Sequence, residues 1–261
     1  TRLAFPAPIA GAARLVFVDG HLQATLSDAI ALQRCAWLPN DAAAMSFTDP
    51  DLRYAALGTV HPGHTLKCAL PRGADATIEI LQVFSGATGS VYPRLQLQLE
   101  ASASLTLVER FTGDLADASL LCTALDAHVG PGARLQLHRL HECGPRTRLL
   151  DQLQLQLEAG AECRVHQLSV GGTTARQSQV AQLSGRGASL QFHGASVQRA
   201  GEYHDSLVRV RLVAPECAIE HRYRALAADR AHVACSADVI VESAARGARV
   251  RVVAYELKSR W

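Results

Sequence analysis

Leucine and glutamine alternate through QLQLQL at 152–157, and the same line appears in RLQLQL at 94–99. A period of two places one residue type on each face of a β-strand. Each copy then breaks at a short run of small residues, EAGA or EASA, and an apolar alternation resumes at Cys163 and Val165 or at Leu105 and Leu107. This predicts paired strands with leucine turned to a core and glutamine turned to solvent.

The break recurs. A small residue, often in Gly-Ala, precedes an alternating strand at Ala74, Ala103, Ala133, Ala161, Ala188 and Ala248, and the segment around Glu216 fits the same slot. The mean spacing is roughly 29 residues, the kind of fixed period that marks a stacked repeat. A second, looser turn lies between these breaks, as in FSGATGS (84–90), FTGDLAD (111–117), HECGPRT (141–147) and VGGTTAR (170–176). The two turn types alternate, so each unit holds two strands and two unlike corners. An antiparallel sandwich gives no reason for that alternation, whereas a β-helix repeats the same corner in every coil. The expectation is an all-β fold, a right-handed parallel β-helix of about seven two-stranded coils over 61–261. Residues 1–60 differ. LVFVDG (15–20) predicts a short strand ending in an Asp-Gly turn. DPDLRYAALG (49–58) predicts a short helix capped by Asp49, with Pro50 in its first turn and Gly58 past its end. This segment predicts a small mixed N-terminal cap covering one end of the stack.

A hydrophobic fraction of 48% excludes a disordered chain, and a net charge of +2 gives no ground for nucleic acid or an anionic membrane as partner. No apolar run is long enough to cross a bilayer, and Pro6 and Pro8 interrupt the faintly signal-like opening. Seven cysteines, Cys35, Cys68, Cys122, Cys143, Cys163, Cys217 and Cys235, form no CxxC pair, which reads as reduced thiols in a cytoplasm.

Candidate chemistry is sparse. His138, His141 and Cys143 in HRLHECGP have metal-ligand chemistry, but alternation puts the two histidines on opposite faces. The same rule separates His204 from Asp205 and Glu220 from His221. Cys163, Cys217 and Cys235 fall on predicted strands, where cysteine serves as a small hydrophobe. GATGS (86–90) lacks the lysine of a P-loop, and SGRGASLQF (184–192) leads into a strand, so both read as turns. A β-helix acting on polysaccharide would want clustered carboxylates and aromatic platforms, and aromatics are only 5%.

The run 203–247, with His204-Asp205, Ala214-Pro215, Arg222–Ala227, Ala228–Ala231 and Val233–Val239, resembles the core of the SufB/SufD family of iron–sulfur cluster assembly proteins. ARLVFVDGHLQATLSDA (13–29), LVERFTG (107–113) and VGGTTARQSQVAQLSGRGASLQFHG (170–194) are similar in the same order, and the opening is closest to the SufD branch. The resemblance implies a right-handed parallel β-helix and a cytoplasmic, non-enzymatic scaffold that pairs with a SufB-like subunit and a SufC-like ATPase. It implies no firmly bound cofactor, only a transient iron–sulfur cluster at a partner interface. Cys235-Ser236-Ala237 stands where the family has Phe-x-Gly, and the family's Ser-His-Gly-Ala-Thr motif and C-terminal helices do not occur in this sequence. No cluster ligand, catalytic residue or metal ligand is therefore assigned. The alternatives are a β-helix that binds or degrades carbohydrate, and a diverged relative that keeps only self-association, as a homodimer.

Overall fold

The computed structural model describes residues 5–39, 45, 47, 49–60, 64–117 and 119–259. The chain opens with β1 (Ala13–Val18), which turns through Asp19 and Gly20 into β2 (His21–Leu22). Both turn residues have positive φ, as a two-residue hairpin requires. A short α1 (Ala29–Arg34) leads into β3 (Cys35–Pro39). A 3-10 helix, Pro50–Ala56, then runs into α2 (Leu57–Val60).

Seven coils follow, each a strand, a corner and a second strand. They are β4 (His64–Leu70) with β5 (Asp75–Ser85), β6 (Arg94–Leu99) with β7 (Ser104–Asp114), and β8 (Leu120–Val129) with β9 (Arg134–Cys143). Next come β10 (Arg148–Leu157) with β11 (Glu162–Gly171), and β12 (Thr174–Leu183) with β13 (Ser189–Gln198). The last two are β14 (Tyr203–Leu212) with β15 (Ala218–Ala228), and β16 (His232–Val241) with β17 (Arg249–Ser259). Every strand pairs in parallel with the equivalent strand of the next coil, giving two facing sheets ordered β17-β15-β13-β11-β9-β7-β5-β1-β2 and β16-β14-β12-β10-β8-β6-β4-β3. The alternating turns of the sequence are the two corners of this solenoid.

The tight corner explains its own composition. A residue with positive φ precedes a small residue that faces inward: Gly132-Ala133, Gly160-Ala161 and Gly187-Ala188, with each alanine fully buried. The sixth coil shifts the expected slot by one residue. Glu216 holds the glycine position with φ 61°, and buried Cys217 holds the alanine position. Cys217 therefore lies at a corner, not on a strand as its pattern predicted; β15 starts one residue later. Ser102 is a second non-glycine in the left-handed position, with φ 60°. That conformation costs an L-residue roughly 1–2 kcal/mol. Ser102→Gly should therefore stabilise the protein by about 1 kcal/mol, read as a higher urea midpoint with an unchanged slope.

Leu95, Leu97, Leu153, Leu155 and Leu157 face the lumen and are buried, as expected. The glutamines opposite them are not all solvated. Gln152 and Gln154 are buried, because the 3-10 helix packs along the outer face of β8, β10 and β12. Asp49 caps that helix by accepting from the Asp51 N–H at 2.9 Å, and Arg209 pairs with Asp51 at 2.6 Å. Gly58 does not end the helix; it lies inside α2, where Arg94 packs so close that a Cβ would stand 3.1 Å from its Cδ. The N-terminal segment thus does more than close one end. β1 adds a rung to one sheet, β3 adds one to the other, and the helices clad a side.

The cysteine expectation is corrected at one pair. β3 runs antiparallel to β4 and sets Cys35 opposite Cys68, 4.3 Å apart at Cα, where they form a disulfide. The remaining five are free thiols. The seven therefore give no uniform sign of a reducing compartment. Among the described residues, no helix is long and apolar enough to cross a membrane.

Candidate functional site in the lumen

Strand alternation drives an apolar residue inward at most lumen positions, but not along one part of coils two to five. On β7 the inward series is Leu105, Leu107, Glu109, Phe111, and on β9 it is Leu135, Leu137, Arg139, His141. Glu109 and Arg139 are in register on neighbouring strands. Asp151 reaches the same point from β10 in the facing sheet. Arg139 donates from Nε to Glu109 Oε2 at 2.7 Å and from Nη1 to Asp151 Oδ2 at 2.8 Å. Gln167 donates to Asp151 Oδ2 at 3.1 Å, and the Thr123 hydroxyl donates to Asp151 Oδ1. All three charged side chains are shut off from water.

One guanidinium cannot fully neutralise two carboxylates. Burial, the largest single influence, pushes Asp151 up, but the charge of Arg139, the neighbouring His141 and the hydrogen bonds from Thr123 and Arg139 together hold it below the usual carboxylate range. For Glu109 burial wins, and its acid is raised, with Asp151 adding to the rise. Arg139 and Asp151 are thus the ion pair proper, and Glu109 is the member most ready to hold a proton.

Beyond this cluster the lumen stays polar. His141 stacks on Phe111 with ring centroids 4.8 Å apart, and its Nδ1 lies 3.3 Å from Gln177 Nε2. Gln177 donates to Ser169 at 2.8 Å. His204 lies beside Gln198, and His221 faces inward beside Phe192. Burial lowers His141 to about 3 and both His204 and His221 to about 4, so all three are neutral imidazoles at pH 7. Burial also pushes Cys122, Cys143 and Cys163 up to about 12 and Cys235 up to about 11, and raises Cys217. In the metal-free protein these thiols are therefore protonated at neutral pH.

The structure separates the sequence candidates as alternation requires. His141 faces the lumen, and His138 lies on the outer face, stacked on His166 at 5.1 Å. His204 is internal, while Asp205 faces out to pair with Arg176 at 2.9 Å. Glu220 pairs with Arg222 outside, and His221 is inside. Cys163 belongs to the leucine core. Among the described residues, no three His, Cys, Asp or Glu side chains converge to hold a metal ion.

The polar lumen opens at its N-terminal end. A cavity of about 210 Å³ runs from His21, His64, Thr88 and Ser90 inward to Glu109 and Arg139. A solenoid of this build also matches a known family model: residues 82–257 fit the SufBD core domain of SUF system FeS cluster assembly. The chain belongs to this family. Among curated proteins, none matches the chain. The match begins within β5 and spans the remaining coils, so the Glu109–Arg139–Asp151 cluster lies inside the SufBD core. It places the protein in iron–sulfur cluster assembly and does not favour the carbohydrate reading.

Composition gave no sign of the internal cluster. Its signal lay in the register: LTLVERF and LQLHRLH, read one coil apart, put an acid and a base at the same inward step. Asp151 was not legible this way, because it approaches from the other sheet.

Proposed function

We propose that this SufBD-core protein is the SufD-like scaffold subunit of a SUF assembly complex. It has no turnover of its own and works in the cytoplasm through interfaces with a SufB-like subunit and a SufC-like ATPase, to which ATP hydrolysis belongs. The carrying observation is the fit of residues 82–257 to the SufBD core domain. Clusters are held chiefly by cysteine thiolates, and among the described residues no three His, Cys, Asp or Glu side chains converge. In this reading the nascent cluster is cargo, held transiently at a partner interface. The SufD branch rests on the likeness of residues 13–29 described above.

The edges of the solenoid fit an interface role. β16 and β17 end the two sheets, and their outer edges carry no further strand among the described residues. The inward-facing Val250 and Val252 of β17 are close to half exposed. Such edges pair readily with another strand, from a partner or from later residues of a longer chain.

Co-expression of the longest natural chain with SufB-like and SufC-like proteins from the same genome tests this. A stoichiometric three-component complex on size exclusion is expected, with no cluster on the isolated chain after anaerobic reconstitution with iron and sulfide. A chain that elutes only as a homodimer, or that assembles a stable cluster alone, would overturn the reading.

A further inference from the structure

We propose that the outer face of β7, β9, β11, β13 and β15 is a docking groove for an amphipathic helix of a partner protein, apolar along one stripe and acidic at both ends. Outward side chains of successive coils fall into rows there. One row, in register from β7 to β15, reads Arg110, Leu140, Leu168, Ala195, Arg224. Beside it runs a row of imidazoles, His138, His166 and His193, with neighbouring ring centroids 5.1 and 5.4 Å apart. The side chains of both rows line one open groove of about 470 Å³, with Ile9 and Val108 at its β7 end.

The middle of the first row is apolar although it faces out. Leu168 is 38% exposed, and Val197 and Leu226, one outward step further along their strands, are similarly open. Contiguous apolar surface rimmed by polar groups marks an interaction site. The opposite sheet shows what such a face accepts, since the 3-10 helix covers its outer side across β8, β10 and β12.

Charge identifies the guest. An arginine stands at each end of the apolar stretch, and among the described residues no carboxylate lines the groove. Arg110 and Arg14 share the single carboxylate of Glu79, at 3.2 and 3.3 Å, which leaves one positive charge over. Arg224 is exposed, and Glu220 on the same strand pairs with Arg222 instead. The two guanidiniums lie four strands apart in the row, roughly 19 Å, and each suits a carboxylate.

Spacing identifies the guest's fold. The rungs recur about every 4.8 Å along the solenoid. A helix laid in that direction advances about 5.4 Å per turn, so one side chain per turn meets one rung. An extended peptide presents side chains to one face about every 6.7 Å, out of step with the rungs. Passing from Arg110 to Arg224 takes about 13 helical residues. Ala195, smaller than the leucines before it, leaves room for a bulky apolar side chain. Exposed ion pairs are worth little, so the apolar row supplies the affinity and the arginines set the position of the helix.

Fluorescence anisotropy tests the groove on the purified chain. The probe is a labelled helical peptide of about 16 residues, with leucine once per turn on one stripe and paired glutamates at both ends. One saturable site is expected, weakening as salt rises from about 0.05 to 0.5 M. Leu168→Glu should weaken it at least about tenfold, and Arg224→Glu about fivefold. Arg246→Glu, at an exposed corner of the last coil, should leave it unchanged. Twin peptides with lysine for glutamate, or serine for leucine, should each bind far more weakly. No saturable binding of the acidic peptide, or equal binding of either twin, overturns the proposal. Equal binding of single-stranded DNA or of phosphatidylserine vesicles, insensitive to Leu168→Glu, overturns it too, as a general polyanion surface. A dimer of the natural chain that Leu168→Glu dissolves would assign the groove to a second copy instead. Should Leu168→Glu fail to fold, Arg224→Glu and the twin peptides still decide it. This contact is separate from the sheet edges of the scaffold reading, and the assay needs no SUF partner, so the two can fail independently.

Discussion

Between pH 6.5 and pH 4 the folded protein should lose stability steeply, by about 4 kcal/mol per pH unit at the steepest point. The cause is the three histidines of the lumen. His141 is lowered to about 3, and His204 and His221 to about 4, chiefly because burial disfavours the imidazolium. In the unfolded chain each returns to an ordinary value of about 6.5. Their folded values are depressed, so the unfolded state binds more protons once the pH drops below 6.5. Stability is then fully present above that value and is lost as the pH falls toward 4. Each histidine contributes up to about 1.4 kcal/mol per pH unit. Against a typical total of about 5–15 kcal/mol, three acting together should unfold the protein near pH 5.

Urea midpoints at pH 8, 7, 6 and 5 check this, and a flat profile from pH 7.5 to 5.5 would contradict it. His221→Phe sharpens the test. Neither ring nitrogen of His221 has a hydrogen-bond partner, and Phe192 lies beside it. An apolar ring should cost little stability at pH 8 and should remove about a third of the acid slope.

How much of this was legible in the chain depends on which spacing carried it. The fold was readable because corners impose composition: a left-handed backbone step selects glycine, and the tight inward step after it selects alanine. Glu216-Cys217 shows where that reading slips, since neither residue matches the consensus and only register fixes the slot. The separation of His138 from His141, and of His204 from Asp205, followed from alternation alone. Burial of Gln152 and Gln154 did not, because their cover comes from residues 50–60, about a hundred positions away. The Cys35–Cys68 disulfide was equally hidden, since it depends on β3 running against the direction of the solenoid. Arg94 looks like any surface arginine at the head of a strand until α2 covers it.

Arg139→Met should destabilise the protein by about 3–5 kcal/mol at pH 7, the cost of leaving buried carboxylates without their counter-charge. Methionine keeps most of the stem volume, so the loss would report charge rather than packing. The variant should also invert the local pH response. In the natural protein, Asp151 is held below its ordinary value, so its contribution is present at neutral pH and is lost as the pH falls through the carboxylate range. Without Arg139, burial of Glu109 and Asp151 is opposed chiefly by His141 and the hydrogen bonds that Thr123 and Gln167 donate to Asp151, and both acids should rise. Their penalty then grows as the pH rises past about 4 and eases as they take up protons. The gap between variant and natural chain should therefore narrow in acid, in urea titrations at pH 7 and pH 5. A gap that stays constant would mean that the guanidinium acts through shape. Replacing all three charges, as Arg139→Met with Glu109→Met and Asp151→Leu, should recover most of the loss, because an apolar cluster of similar volume often matches a buried ion network. If that triple variant is as stable as the natural chain but no longer joins the SufB-like and SufC-like partners, the cluster serves assembly rather than folding. If it is stable and still joins them, the cluster is a register pin between the two sheets, fixing which inward position of β9 faces β10.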